Sequence, residues 1–160
     1  MLSTTLSLLP AGIINGLMFG AIYALVALGL TLIYGVLHII NFAHGAMLMM
    51  ALYSAYFLFK ILNIDPYIAI LIVTPASYIF GYTIYRWGIG KLSGGRDQNI
   101  LLITLGLSII LENSALFFFT GDQQTISLPY SYESFDLGFL YLSYPKLISF
   151  VAALIICILL

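Results

Sequence analysis

Three polar residues share one face of a long apolar segment, where they could line a route for polar solutes. Thr104, Ser108 and Glu112 follow one another at intervals of four residues, which aligns them along one side of an α-helix. A charged carboxylate within a membrane costs several kcal/mol, so Glu112 must be protonated, be paired or face water. The spacing predicts a polar stripe that faces the protein interior, where it could line a translocation path. Alternatively, the hydroxyl groups of Thr104 and Ser108 bond carbonyls of their own helix. A shift of the segment across the membrane would instead place Glu112 near the outer boundary.

A second polar group interrupts the apolar sequence at residues 41–45, here named the 41–45 segment. Asn41 favours a helix start as an N-cap, His44 changes its charge near neutral pH, and Gly45 lets another backbone approach closely. Two interpretations remain open: a capped turn at the membrane surface, or a junction of half-helices whose free N–H groups line a path. On the second interpretation Asn41, His44 and Gly45 are further translocation-path candidates.

Neither group predicts catalysis or metal binding. His38 and His44 are six residues apart, unlike the i, i+4 pair of a helical metal site, and no carboxylate lies nearby. The glycine-rich stretch at residues 91–96 lacks the order of a phosphate-binding loop, and the single Cys157 forms no metal pair. The sequence predicts no catalytic residue, no metal and no bound cofactor.

The composition requires that membrane helices position these residues. Of the 160 residues, 62% are hydrophobic and 7% are charged, whereas soluble domains carry about 25% charged residues. We predict an all-α, polytopic transmembrane helix bundle that forms one domain over residues 1–160 and contacts the lipid bilayer. The net charge of −1 gives no indication of nucleic-acid binding. Because a span needs about 20 apolar residues, the predicted membrane segments are residues 11–40, 46–62, 67–87, 100–120 and 146–160.

The distribution of lysine and arginine predicts the orientation. Residues 86–99 carry three of them, whereas residues 121–146 carry one. Basic loops remain in the cytoplasm, so we place the first loop inside, the second outside, and the 41–45 segment toward the cytoplasmic side. We expect the outer loop to form a short surface helix or a hairpin.

The first membrane segment carries a regular row of small residues. Gly12, Gly16, Gly20 and Ala24 recur every four residues and predict a smooth face on which another helix packs closely. With thirty residues, the segment is longer than one upright span, so it must tilt, extend past the membrane or break.

Four stretches together carry a resemblance to a known family. They are NGLMFGAIYAL at residues 15–25, LGLTLIYG at 28–35, INFAHG at 40–45 and TLGLS at 104–108. They resemble the LivH-type permeases, which are membrane subunits of ABC importers for branched-chain amino acids. Relatives that carry urea or short amides share this pattern.

The resemblance implies a multi-pass subunit of the cytoplasmic (inner) membrane. It would pair with a second permease subunit, bind cytoplasmic ATPase subunits and receive its substrate from an extracytoplasmic solute-binding protein. ATP hydrolysis would belong to the ATPase, so the chain itself would not be an enzyme.

Permeases of that family are considerably longer and carry a further cytoplasmic loop that couples to the ATPase, and nothing in this sequence resembles that loop. We therefore expect a truncated, N-terminal form. Two other hypotheses stay open. The chain is a non-transporting membrane scaffold or assembly fragment, or it is a channel or secondary carrier that uses Glu112 for protons.

Overall fold

The computed structural model describes residues 2–92, 97–128, 134–136 and 141–159, and most of them are helical. Within this part of the chain, four helices are long and apolar enough to cross a membrane by length and composition, and one further apolar helix is shorter. The predicted polytopic helix bundle is confirmed. The elements in chain order are α1 (Leu2–Leu37), α2 (His44–Leu62), α3 (Pro66–Ile84) with a π-helical turn (Tyr85–Ile89), α4 (Gly90–Leu92), α5 (Asp97–Phe119), β1 (Ser134–Asp136), β2 (Tyr141–Ser143) and α6 (Tyr144–Leu159).

Two strands lie in the loop that was expected to form a short helix or a hairpin. β1 pairs antiparallel with β2, and Phe135 is opposite Leu142. The loop therefore forms a small hairpin immediately before α6.

The chain forms two compact units. One comprises Met1–Leu32 with Ser127–Leu160, and the other comprises Ile33–Ile126. The prediction of one domain over residues 1–160 stays a prediction. The predicted translocation-path candidates belong to the second unit, whereas the four predicted packing residues, Gly12, Gly16, Gly20 and Ala24, belong to the first.

In the first unit, the row of small residues on α1 is an open surface. Among the described residues, a Cβ placed on Gly12, Gly16 or Gly20 would meet no neighbouring heavy atom within 4 Å. Ala24 is also exposed. The row is present as a continuous face of the helix, and its role in helix packing stays a prediction.

In the second unit, α2 packs against both α3 and α5. Near the C-terminal end of α2, the rings of Tyr53 and Phe57 lie 4.5 Å and 4.7 Å from the ring of Phe119, the last residue of α5. The N-terminal side of α2 meets the first half of α5 through a hydrogen bond between Phe42 and Thr104. Hence α2 and α5 run side by side in the same direction, as the distribution of basic residues predicts.

Three residues between positions 63 and 66 favour the reversal between α2 and α3. Asn63 ends α2 in the left-handed conformation, with φ 53°, which Asn tolerates better than most residues. Asp65 accepts a hydrogen bond from the N–H of Tyr67 at 2.9 Å, and Pro66 occupies the first helical position, where its missing N–H costs nothing. α3 is thereby set antiparallel to α2, leaving a groove along their contact.

The third membrane segment is irregular at its C-terminal end. Pro75 is accommodated inside α3, and the helix widens into the π-helical turn ten residues later. A Cβ on Gly90 would lie 3.1 Å from the carbonyl oxygen of Tyr85. This close approach explains why glycine follows the π-helical turn.

Candidate translocation site

The helix that begins near the N-terminus stops at Leu37, and a non-helical stretch follows. The N–H of His38 still donates to the carbonyl of Tyr34 at 2.8 Å, but His38 is left-handed, with φ 55°. A left-handed residue turns the chain out of the helix. Helix α1 has 36 residues and measures roughly 54 Å, which is longer than one upright span. It ends before the end of the predicted segment 11–40, so that segment contains a break. A tilt of the helix and its extension past the membrane stay predictions.

Asn41 organises the turn that leads into α2. Its Oδ1 accepts a hydrogen bond from the N–H of Ala43 at 3.0 Å, and its carbonyl accepts one from the N–H of His44 at 3.2 Å. The α-helical cap position is Ala43, which makes no side-chain capping bond. The prediction that Asn41 directly caps α2 is therefore corrected: Asn41 caps a tight turn that precedes it, because the Asn side chain reaches the N–H two residues on.

The 41–45 segment is joined to α5 by its backbone. The N–H of Phe42 donates to the hydroxyl of Thr104 at 3.3 Å, and that hydroxyl donates to the carbonyl of Leu101 at 3.1 Å. Both Ala43 and Thr104 are fully buried, at 0% exposure. The Thr104 hydroxyl accepts one hydrogen bond and donates another, so both the hydroxyl and the N–H of Phe42 have a partner.

The contact lies well within the membrane-length part of α5. Thr104 comes six residues after Gln98, where that part begins, which is roughly 9 Å along the helix axis. Irregular backbone at such a depth is tolerated only where it is buried in protein or lines a water-filled cavity. Both interpretations of the 41–45 segment, a capped turn at the membrane surface and a junction of half-helices, stay predictions.

The polar stripe on α5 is buried at two of its three positions. Thr104 and Ser108 lie on the packed face with Leu111 and Ala115. Glu112 is exposed, although the Ser108 hydroxyl donates to its Oε1 at 2.8 Å. The expectation that all three face the interior therefore fails at Glu112, because the angle of 100° per residue turns a position eight residues after Thr104 away from the packed face.

The structure joins some of the predicted candidates and leaves others apart. Asn41 and Thr104 meet through the backbone of residues 41–43. His44 is half-buried and Gly45 is exposed at the first turn of α2. Ser108 and Glu112 form their own pair one turn further along α5. Their roles in a translocation path stay predictions.

Sequence reasoning missed a cleft beside the helix break. It has a volume of about 540 Å³, and its wall includes Ile39, Asn41, Ser77, Gly81 and Tyr85. The contribution of α3 could not be found from spacing, because Ser77 and Gly81 have no polar or glycine-rich pattern around them.

The side chains and backbone groups at this site can form hydrogen bonds. Within the described residues, no group of three or more His, Cys, Asp or Glu side chains could hold a metal ion. Backbone amides, one asparagine and several hydroxyl groups can donate and accept hydrogen bonds here.

Comparison with known proteins agrees with a membrane transport subunit. The family described as "Branched-chain amino acid transport system / permease component" matches residues 12–160. No solved structure gives a significant match to the chain.

Curated relatives carry names of the same kind. The chain is 36% identical to the high-affinity branched-chain amino acid transport system permease protein BraD of Pseudomonas aeruginosa, over 65% of this chain and 36% of that protein. It is 31% identical to the corresponding protein LivH of Salmonella typhimurium, over 62% of this chain and 35% of that protein. LivH of Escherichia coli is 30% identical over the same shares. The chain thus spans little more than a third of the length of the curated relatives it matches.

The family match extends over nearly the whole sequence and coincides with several membrane-length helices. The chain is a multi-pass membrane protein and belongs to the family of permease components of branched-chain amino acid transport systems.

Proposed function

We propose that the chain is the membrane-spanning permease part of an ABC importer that moves branched-chain amino acids across the cytoplasmic membrane. The family match over residues 12–160 carries this proposal. A second permease subunit, cytoplasmic ATPase subunits and an extracytoplasmic solute-binding protein complete the importer. The chain supplies no catalytic residue and holds no cofactor, since ATP hydrolysis takes place in the ATPase.

The helix break gives this proposal a physical basis. Packing of the 41–45 segment against Thr104 places backbone amides within the membrane-length region, where a route for polar solutes needs hydrogen-bonding groups. The residues of this route are Asn41, His44, Gly45, Thr104, Ser108 and Glu112. Alternating access follows when the partner ATPases open the route first to one side and then to the other.

The proposal is tested by uptake into membrane vesicles. Vesicles that contain this chain, its partner permease, the ATPase subunits and the binding protein should accumulate labelled L-leucine when ATP is supplied. Vesicles that lack only this chain should not. Equal uptake in both preparations would contradict the proposal, and accumulation of urea or acetamide in place of leucine would assign the chain to the urea and amide carriers.

A second candidate function follows from the exposed carboxylate in α5. Glu112 lies within a membrane-length helix, and an intramembrane carboxylate is a typical proton carrier. A secondary carrier of this kind would take up leucine in response to a pH gradient without ATP. Glu112→Gln would then abolish leucine uptake. An ATP-driven permease that carries this substitution should still take up leucine when ATP is supplied.

A further inference from the structure

Two cations are each held by an aromatic ring where the third membrane segment ends. The Nη1 of Arg86 donates to the hydroxyl of Tyr82 at 2.7 Å, and its Cζ lies 5.9 Å from the centre of that ring. The Nζ of Lys91 lies 4.4 Å from the centre of the Trp87 ring. All four side chains are exposed. An aromatic ring attracts a cation without neutralising its charge, so both cations can still bind an anion.

The sequence around these cations contains basic but no acidic residues. No Asp or Glu occurs between positions 66 and 96, whereas Arg86, Lys91 and Arg96 all lie there. Within the part of the chain that the structure describes, neither Arg86 nor Lys91 forms an ion pair. Arg86 lies close to Ile89, where the membrane-length part of this segment ends. Long basic side chains near such an end reach the layer of lipid headgroups, so an anion from that layer is the expected counter-charge.

The π-helical turn Tyr85–Ile89 affects how the two cations are placed. The N–H of Gly90 donates to the carbonyl of Tyr85, which is the five-residue spacing of a π-helix. Arg86 and Lys91 are separated by the same spacing. In a regular α-helix, residues five apart point about 140° away from each other. The wider turn reduces this angle, so the two cations lie on more nearly the same side of the helix.

An apolar cleft extends from these residues toward the middle of the membrane. It is the cleft of about 540 Å³ beside the helix break, and its wall includes Ser77, Tyr82, Tyr85 and Ile89. Of the 24 residues of the membrane-length part, Ile89 is the last and Ser77 lies in the middle. The two residues are roughly 18 Å apart along the helix axis, close to half of a hydrocarbon core about 30 Å thick. The cleft therefore has the length of one acyl chain in one leaflet.

We propose that this end of the third membrane segment binds an anionic phospholipid, with its phosphate group at Arg86 and Lys91 and one acyl chain in the cleft. A guanidinium group binds phosphate through paired N–H donors, and an ammonium group adds a second positive charge. Tyr82 belongs to both parts of the site, since its hydroxyl accepts from Arg86 and it lines the cleft. Trp87 is 66% exposed, and tryptophan favours the level of lipid headgroups. The site exists whether or not the chain transports amino acids.

The single tryptophan of the sequence, Trp87, allows a direct measurement. The purified chain is reconstituted in phosphatidylcholine vesicles that contain a small fraction of phosphatidylglycerol brominated in its acyl chains, because bromine quenches tryptophan fluorescence at short range. The quenching should equal that of at least about five times as much brominated phosphatidylcholine, because basic residues near the surface attract anionic lipid. Equal quenching by equal amounts of the two brominated lipids would overturn the proposal.

Matched substitutions distinguish a site from a general attraction between charges. Arg86→Gln and Lys91→Gln should each weaken the preference for phosphatidylglycerol several-fold. Lys60→Gln is the control, because Lys60 also lies over an aromatic ring, at 5.3 Å, but at the end of α2 that adjoins the start of α3. It should leave the preference unchanged. Each variant is compared with itself in unbrominated lipid, and equal losses in all three, or no loss in Arg86→Gln, would contradict the site.

The same assay tests the cleft and the source of the phosphate group. A Cβ on Gly81, in the cleft wall, meets no heavy atom within 4 Å, so Gly81→Leu fills the cleft without a clash. Gly106→Leu is the control, because Gly106 also has open space at its Cβ position and lies outside that wall. The preference for phosphatidylglycerol should fall in Gly81→Leu alone. An unchanged preference in Gly81→Leu, or its loss in excess soluble glycerol phosphate, would indicate a site for a phosphate group only and would reject the lipid site.

Discussion

The backbone N–H of Phe42 donates a hydrogen bond to the hydroxyl of Thr104, at 3.3 Å and across 62 positions of the sequence. This bond joins the break between α1 and α2 to the buried face of α5. Because Thr104 is fully buried, water cannot easily replace its hydroxyl. The position of the 41–45 segment therefore depends on one side chain in another helix.

Replacing Thr104 by valine should destabilise the chain, since valine keeps the shape but leaves the Phe42 N–H without an acceptor. We expect a loss of about 1–3 kcal/mol, seen as a lower melting temperature in detergent micelles. Thr83→Val is the matched control, because Thr83 is exposed and its hydroxyl donates to the carbonyl of Ile79 in its own helix. Equal melting temperatures for the two variants would contradict the structural role of Thr104.

Two substitutions of Asn41 should show whether its side-chain oxygen, rather than the size of the side chain, stabilises the turn. Asn41→Ala removes the acceptor for the N–H of Ala43 and should cost about 1 kcal/mol. Asn41→Ser keeps an oxygen acceptor and should recover most of this loss. Thermal unfolding of both variants checks the prediction, and it fails if serine is as destabilising as alanine.

Glu112 should be accessible to water even though it lies within a membrane-length helix, because a carboxylate facing lipid would be unstable. In a Cys157→Ser background, a water-soluble thiol reagent should label Glu112→Cys in membranes. Phe117→Cys should remain unlabelled, since Phe117 is 82% exposed on the same helix and is expected to face lipid. Equal labelling at the two sites would show that Glu112 does not lie in an aqueous environment.

Two glycines should respond in opposite ways to a larger side chain. Gly16 has open space at its Cβ position, so Gly16→Leu should not destabilise the isolated chain and gains up to about 1 kcal/mol of helix propensity. Gly90→Ala should destabilise it, because the added Cβ would lie 3.1 Å from the carbonyl oxygen of Tyr85. Unfolding curves of the two variants provide the comparison. A Gly16→Leu variant with a clearly lower melting temperature would show that the small-residue face packs against another helix.

The helices could be predicted from sequence because each is a nearly unbroken apolar stretch bounded by strong signals. The Asp65–Pro66 pair starts α3 where expected. The second membrane segment is predicted at residues 46–62, immediately after the 41–45 segment. Helix α2 begins two residues earlier, at His44. Apolar length and turn residues are local properties, so they can be recognised without knowledge of the rest of the fold.

The site was less predictable because its contacts depend on the packing of distant helices. The partner of Thr104 is a backbone N–H of Phe42, and a backbone group leaves no mark in the sequence. The cleft wall is completed by Ser77 and Gly81 of α3, whose position follows from how α3 packs on α2. The outward turn of Glu112 is likewise decided by which face of α5 meets α2.

The parallel packing of α2 and α5 also sets an order for biogenesis. During synthesis the ribosome delivers α1, the helix break and α2 before Thr104 exists, since α5 follows α3 in the chain. The N–H of Phe42 must therefore stay hydrated, or be held by the insertion machinery, until the fourth membrane-length helix arrives. We therefore expect the 41–45 segment to reach its final position late in assembly, when α5 enters the bilayer.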